Sequence, residues 1–135
     1  MATTEAPPSA ALIHLADALS VPDGGFSVVI ASWRDVWAGF AVSVFPEYEQ
    51  QLAGPVAHDD IARHVSDYWA TLAHPHVVLG GWRNPDDGLA YLDVSVVVSS
   101  RDQALALARN NDQLAIWDFA NGQSVPIIGS ERERS

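Results

Sequence analysis

Cysteine is missing from this chain, so a disulfide framework, a thiolate nucleophile and a cysteine-based zinc site are out of reach. Lysine is missing too. All seven basic side chains are arginines, which rules out a Schiff-base amine, a Ser-Lys pair and a P-loop lysine. No stretch approaches the roughly 18 continuous apolar residues of a membrane span. No basic residue precedes the short apolar patch of residues 1–11, so a secretory signal is not expected and a cytoplasmic location is. Neither a Gly-x-Ser-x-Gly elbow nor an H-E-x-x-H pair occurs. Gly24-Gly25 and Gly80-Gly81 are isolated pairs and not phosphate-cradling loops, and Asp86-Asp87 belongs to a turn.

What the chain does have is negative charge. Its 135 residues carry a net −10, and the tail Glu131-Arg132-Glu133-Arg134 is neutral in sum. The whole excess therefore sits on residues 1–130, as fifteen carboxylates against five arginines. Such a body repels nucleic acid, whose affinity comes from cationic contacts, and disfavours anionic membranes. Direct nucleic-acid binding and membrane binding are not expected. A basic protein partner is.

The hydrophobic pattern predicts one α+β domain. Residues 1–8 read as a disordered lead-in, 9–128 as the domain and 129–135 as a flexible tail. Ser9 caps a short helix carrying Leu12, Leu15 and Leu19. Residues 26–30 and 40–45 read as strands, the second ended by Pro46. Residues 59–73 form the clearest helix, with Ile61, Val65, Trp69 and Leu72 on one stripe. Residues 77–79 open a strand pair whose turn is Asn84-Pro85-Asp86-Asp87-Gly88. Residues 90–99 then alternate strictly, with Tyr91 and Asp93 on the face opposite Leu92 and Val94. Ser100 to Gln103 fits a capping box, Leu114 to Phe119 is a strand, and Asn121-Gly122 is a hairpin turn. Pro126 confines the return strand to an edge, where residues 125–128 could pair across a homodimer axis. The expectation is a short N-terminal helix followed by ββα-ββα-ββ: a mainly antiparallel sheet of five to six strands with two helices on one face.

The two ββα units raise the question of a repeat. Trp33-Arg34-Asp35 followed by Gly39-Phe40-Ala41 is echoed by Trp82-Arg83-Asn84 followed by Gly88-Leu89-Ala90. A true duplication requires the same strand order in both halves.

Five tryptophans in 135 residues are the strongest positive signal. Trp69 and Trp117 fall in regular elements and read as core or half-core. Trp33, Trp37 and Trp82 fall in or beside hairpin connections, two of them followed by arginine. Tryptophan, tyrosine and arginine dominate interface energetics, although a Trp-Arg pair can equally serve internal packing. The candidate partner-binding residues are Trp33, Arg34, Trp37, Trp82, Arg83, Tyr91 and Asp93. No catalytic residue, metal ligand or cofactor is assigned in this reading. It describes a non-enzymatic acidic module that masks a basic partner, as a nucleic-acid mimic or an inhibitor. The alternative is a small enzyme with a metal- or histidine-dependent site at Asp60, His64 and Asp67, which lie at i, i+4 and i+7 along one flank of the clearest helix.

The segments Gly25-Phe26-Ser27-Val28, residues 39–47, Leu79-Gly80-Gly81-Trp82 and residues 91–97 resemble a loose group of small uncharacterised actinobacterial and phage- or plasmid-borne proteins. Residues 104–108 and Asn111-x-Gln113-x-Ala115-x-x-Asp118 extend the likeness, which covers roughly residues 25–120. The resemblance implies a structural kinship and brings no activity with it; an accessory or host-interaction protein of a mobile element fits the binding-module reading. Members of that group usually carry a polar Pro/Gly loop between the first two strands, where this chain has Trp33-Arg34-Asp35-Val36-Trp37.

Overall fold

The computed structural model describes residues 9–127; the expected lead-in 1–8, the tail 129–135 and Ile128 lie outside them. The elements run α1 (Ser9–Ala18), β1 (Gly25–Val29), β2 (Arg34–Asp35), β3 (Phe40–Val42), a 3-10 turn (Pro46–Tyr48), β4 (Gln50–Leu52), α2 (His58–Asp67), α3 (Trp69–Leu72), β5 (Val77–Arg83), β6 (Ala90–Val98), α4 (Arg101–Asn110), β7 (Ala115–Asp118) and β8 (Gln123–Pro126). The fold is α+β, with a curled antiparallel sheet of eight strands and four helices among the described residues.

The expected five to six strands, with two helices on one face and a short N-terminal helix, are thus corrected upward to eight strands and four helices among the described residues. Part of the excess comes from short strands. β2 is two residues long and pairs with β1 inside a segment that reads as a loop. β3 stops at Val42, and the chain leaves the sheet before Pro46, whose ring nitrogen offers no donor to a ladder. It rejoins as β4. The long helix is also divided: Tyr68 leaves the helical region (φ −117°, ψ 26°) between α2 and α3, and its ring stacks on Tyr48 at 4.2 Å.

The nine-residue β6 is the spine of the sheet. β5 pairs with it from Val77↔Val96 to Arg83↔Ala90. Its other edge is shared, with β4 opposite Ala90–Leu92 and β3 opposite Val96–Val98. Residues 43–49 detour around the gap between them, beside Asp93, Val94 and Ser95. The strand order β2-β1-β5-β6-β3-β7-β8 places β8 at an edge, as Pro126 requires. The same order ends the duplication idea. β5 and β6 are neighbours, whereas their would-be counterparts β1 and β3 are separated by both of them.

Local chemistry explains the caps. Ser100 Oγ accepts the Gln103 N–H at 3.2 Å and opens α4. The Asp60 carboxylate accepts the Ala57 N–H at 2.9 Å and opens α2. Asp118 accepts the Asn121 side-chain amide at 2.7 Å and closes the β7–β8 turn, where Gly122 takes φ +61°, a conformation costly for a residue with a Cβ.

Two apolar clusters form the core. Leu12, Leu15 and Leu19 of the α1 segment pack with Ile61, Val65 and Leu72 onto Val28, Leu79, Leu92 and Val94. Ala104 and Ala108 of α4 pack with Val42, Ile116, Val125 and Ile127. Val96 touches both. Leu92, Val94, Val96 and Val98 share one face of β6 because side chains alternate along a strand, so both clusters lie on the same side of the sheet. The opposite side carries Tyr91, Asp93, Ser95 and Val97 and receives no helix.

Candidate functional site

Pairing register lays out the helix-free face in rows, because directly opposed residues point the same way. One row reads Gly25, Trp82, Tyr91, Gln51. The next reads Ser27, Gly80, Asp93. The third reads Arg34, Val29, Val78, Ser95, with Val29 alongside Val78 through the β1–β5 pairing. Val78 and Ser95 are buried although no helix covers them.

The first row is held from both ends. Trp82 is 42 % exposed and donates its indole N–H to Asp23 Oδ1 at 2.7 Å. Its ring and that of Tyr91 lie 6.3 Å apart, tilted by 35°. The Tyr91 hydroxyl donates to Asp87 Oδ2, and the Leu89 N–H donates to Asp87 Oδ1 at 2.8 Å. The hydrogen bond from Tyr91 is the main cause holding the Asp87 carboxyl below its usual range, and donating it raises the Tyr91 phenol.

The second row contains an unspent charge. Among the described residues no donor is hydrogen-bonded to the Asp93 carboxylate. Burial, followed by the nearby charge of Glu49, pushes its pKa up to about 6. The side chain folds across the sheet onto Gly80: a Cβ built there would lie 2.6 Å from Asp93 Oδ1. At Gly81 a Cβ would strike the Phe26 ring on the helix side. The two glycines therefore clear space on opposite faces of one strand, for a carboxylate and for a phenyl ring.

The seven expected binding residues do not form one patch. Trp82, Tyr91 and Asp93 are adjacent. Arg34 lies on the same face at the β2 edge. Trp37 is 77 % exposed in the β2–β3 connection. Trp33 is half-buried against the main cluster and takes φ +58°. Arg83 is on the other face from Trp82 and is spent on the fold. It donates to the carbonyls of Leu19 (2.9 Å), Gly54 (2.9 Å) and Gly88 (3.0 Å). Beside it lies an open groove of 570 Å³ that Asp17, Val21, Pro22 and Pro55 help to line. Trp117, expected in the core or half-core, is 42 % exposed, because it pairs with Ala41 on the helix-free face. Sequence reasoning missed Asp23, Asp87, Glu49 and Gly80. Of these only Gly80 had a local signal: a glycine pair inside a β-rich run marks a close approach.

Asp60 and His64 are engaged by different parts of the fold. His64 is 1 % exposed. Its Nε2 lies 2.8 Å from the Tyr48 carbonyl oxygen, which can only accept, so Nε2 carries the proton. Its Nδ1 is buried without a partner, and desolvation lowers its pKa. The Asp60 carboxylate caps α2 and lies 3.9 Å from Arg63 Nη1. Asp67 is exposed. Among the described residues no group of three or more His, Asp or Glu side chains could hold a metal ion, and no helix is long and apolar enough to cross a membrane. No family model matches the chain, and no curated protein or solved structure matches it either.

Proposed function

We propose that this chain is a non-enzymatic, acidic protein-binding module that receives the basic surface of a protein partner on the helix-free face around Trp82, Tyr91 and Asp93. One observation carries the reading: an exposed tryptophan and a tyrosine, each anchored by a carboxylate, stand next to a carboxylate that has no hydrogen-bond donor among the described residues. Anchoring lowers the entropy lost when an aromatic is docked. The net charge of −10 steers a basic partner toward the molecule. Masking of a host protein by a mobile-element accessory protein, as a nucleic-acid mimic or an inhibitor in the cytoplasm, is the role we assign it. Self-pairing through the β2 or β8 edge would leave this face open.

The test begins with affinity capture from host extract, comparing the wild type with Trp82→Ala, followed by purification of the captured partner. Affinity for that partner should fall steeply with salt, and binding should slow amide exchange in residues 80–93. A salt-independent affinity, or protection confined to the helix side, would overturn the reading.

A further inference from the structure

We propose that Asp93 is the floor of a single-residue subsite on the helix-free face that takes a guanidinium group, an arginine side chain of the partner, with the Tyr91–Trp82 pair as its wall. The inference rests on the docking reading for the identity of the partner and stands on its own for the chemistry of the subsite.

Position comes first. Tyr91 and Asp93 are two residues apart on one strand and point to the same side, which separates them by about 6.5 Å. Trp82 and Gly80 repeat that spacing on the neighbouring strand. A planar cation lying on the carboxylate therefore meets the phenol and indole at its edge or face. Gly80 supplies the room: having no side chain of its own, it lets the Asp93 carboxylate lie down against the sheet. Ser27, beyond Gly80 in the same row, offers a hydroxyl.

Charge comes second. The groups that face Asp93 are Glu49, just ahead of β4, and Tyr91 on its own strand. Asp87 and Asp23 flank the aromatic wall, and Arg34 sits one row away on β2, two strands from β5. Carboxylates outnumber the one cation, and no ion pair to Asp93 is formed among the described residues. A half-buried carboxylate without a donor costs folding free energy. A ligand that donates two parallel N–H bonds recovers it. Guanidinium suits this better than ammonium. It is planar, stacks on aromatic rings and gives up its hydration more readily.

The experiment follows the Asp93 carboxyl carbon by NMR through a pH titration of the full chain. It is run with the peptide acetyl-Gly-Arg-Gly-amide, its citrulline twin and its lysine twin. The arginine peptide should lower the Asp93 midpoint from about 6 and shift the Trp82 indole N–H signal. The citrulline peptide should do neither, and the lysine peptide should do less. Asp93→Asn should weaken the arginine peptide about tenfold, as expected for one charge-assisted hydrogen-bond pair. The wild-type titration needs no variant, so the test survives a poorly folding Asn variant. An unmoved midpoint, or an equal response to citrulline or lysine, overturns the subsite. So does a midpoint that rises in Arg132→Gln/Arg134→Gln, because the chain's own tail would then be the occupant. If the peptides fail while a basic protein still binds at Trp82 with steep salt dependence, the subsite falls and the docking reading stands. If the peptides succeed while no protein partner binds this face, the docking reading falls instead.

Discussion

His64 and Asp93 flank the same detour of the chain, residues 43–49, and they have opposite fates. His64 lies on the helix side, donates to Tyr48 and touches the edge of the Tyr68 ring at 4.9 Å. Through Tyr48, which also stacks on Phe45 at 5.2 Å, it ties the detour to α2. Asp93 lies on the bare side, close to Glu49 at the end of the detour, and ties nothing. Both are disfavoured in their charged forms by burial. The difference teaches that a perturbed ionisable group points to function only where a ligand can reach it. The Nε2 of His64 is held by the Tyr48 carbonyl and its Nδ1 is sealed in the core, whereas Asp93 is only half-buried, on the face that no helix covers.

The contrast breaks most visibly at His64. His64→Ala removes a buried ring, leaves a cavity and strands the Tyr48 carbonyl, and should destabilise the protein by about 3 kcal/mol in urea unfolding. Binding of an arginine peptide at Asp93 should survive in the folded fraction. Loss of binding with little loss of stability would reverse the two assignments.

The two groups also pull the pH profile in opposite directions. The folded-state pKa of His64 is depressed, so its contribution is complete above the unfolded value of about 6.5 and is lost as pH falls below it. That of Asp93 is raised from 3.8 to about 6, so its folded form is penalised as pH rises through that window. Asp93→Asn should therefore stabilise the protein at pH 8, by about 2 kcal/mol once residual solvent screening is allowed for. At pH 4 it should be nearly neutral. A stabilising substitution that costs binding is the signature of a site kept at the expense of stability. Equal effects at both pH values would show that Asp93 carries no such penalty.

The two Trp-Arg dipeptides repeat the lesson. They look alike in sequence, and both read as interface candidates. Arg83 ties three chain segments together through their carbonyls, while Arg34 is exposed on a two-residue edge strand. Arg83→Met should cost about 2 kcal/mol and Arg34→Met within about 0.5 kcal/mol, measured by thermal melts at one pH. Similar losses at the two sites would remove the distinction.

Patterns confined to one element were legible in the sequence. The alternation of residues 90–98 assigned Tyr91 and Asp93 to one face and Leu92 and Val94 to the core. The Ser100 cap, the Asn121-Gly122 turn and the edge character forced by Pro126 followed from local chemistry. What needed long-range pairing was not legible. Nothing in residues 31–52 announces the short strands β2 and β4, or that β3 crosses to the far side of β6. Because Trp117 takes its face from that crossing, alternation along its own strand could not assign it. Asp23 and Asp87 reach the site from turns on either side of it, and only the folded register brings Asp23 to the Trp82 indole, fifty-nine positions away.

The smallest expected effect gives the finest test of the comparison. Gly80→Ala adds one methyl group where it would stand 2.6 Å from the Asp93 carboxylate. The obstacle is the end of a flexible side chain, so the carboxylate can swing aside at a cost of about 1 kcal/mol. In an Asp93→Ala background the added methyl group meets no carboxylate, and the cost should fall close to zero. The difference between the two backgrounds is the coupling between floor and charge, read from a double-mutant cycle. Equal costs in both would mean that Gly80 serves the strand and not the carboxylate. With coupling present, Gly80→Ala in the wild type should also weaken the arginine peptide, because a displaced carboxylate no longer faces the aromatic wall. His64→Ala, on the other side of the same sheet, should show no coupling to Gly80 beyond about 0.5 kcal/mol.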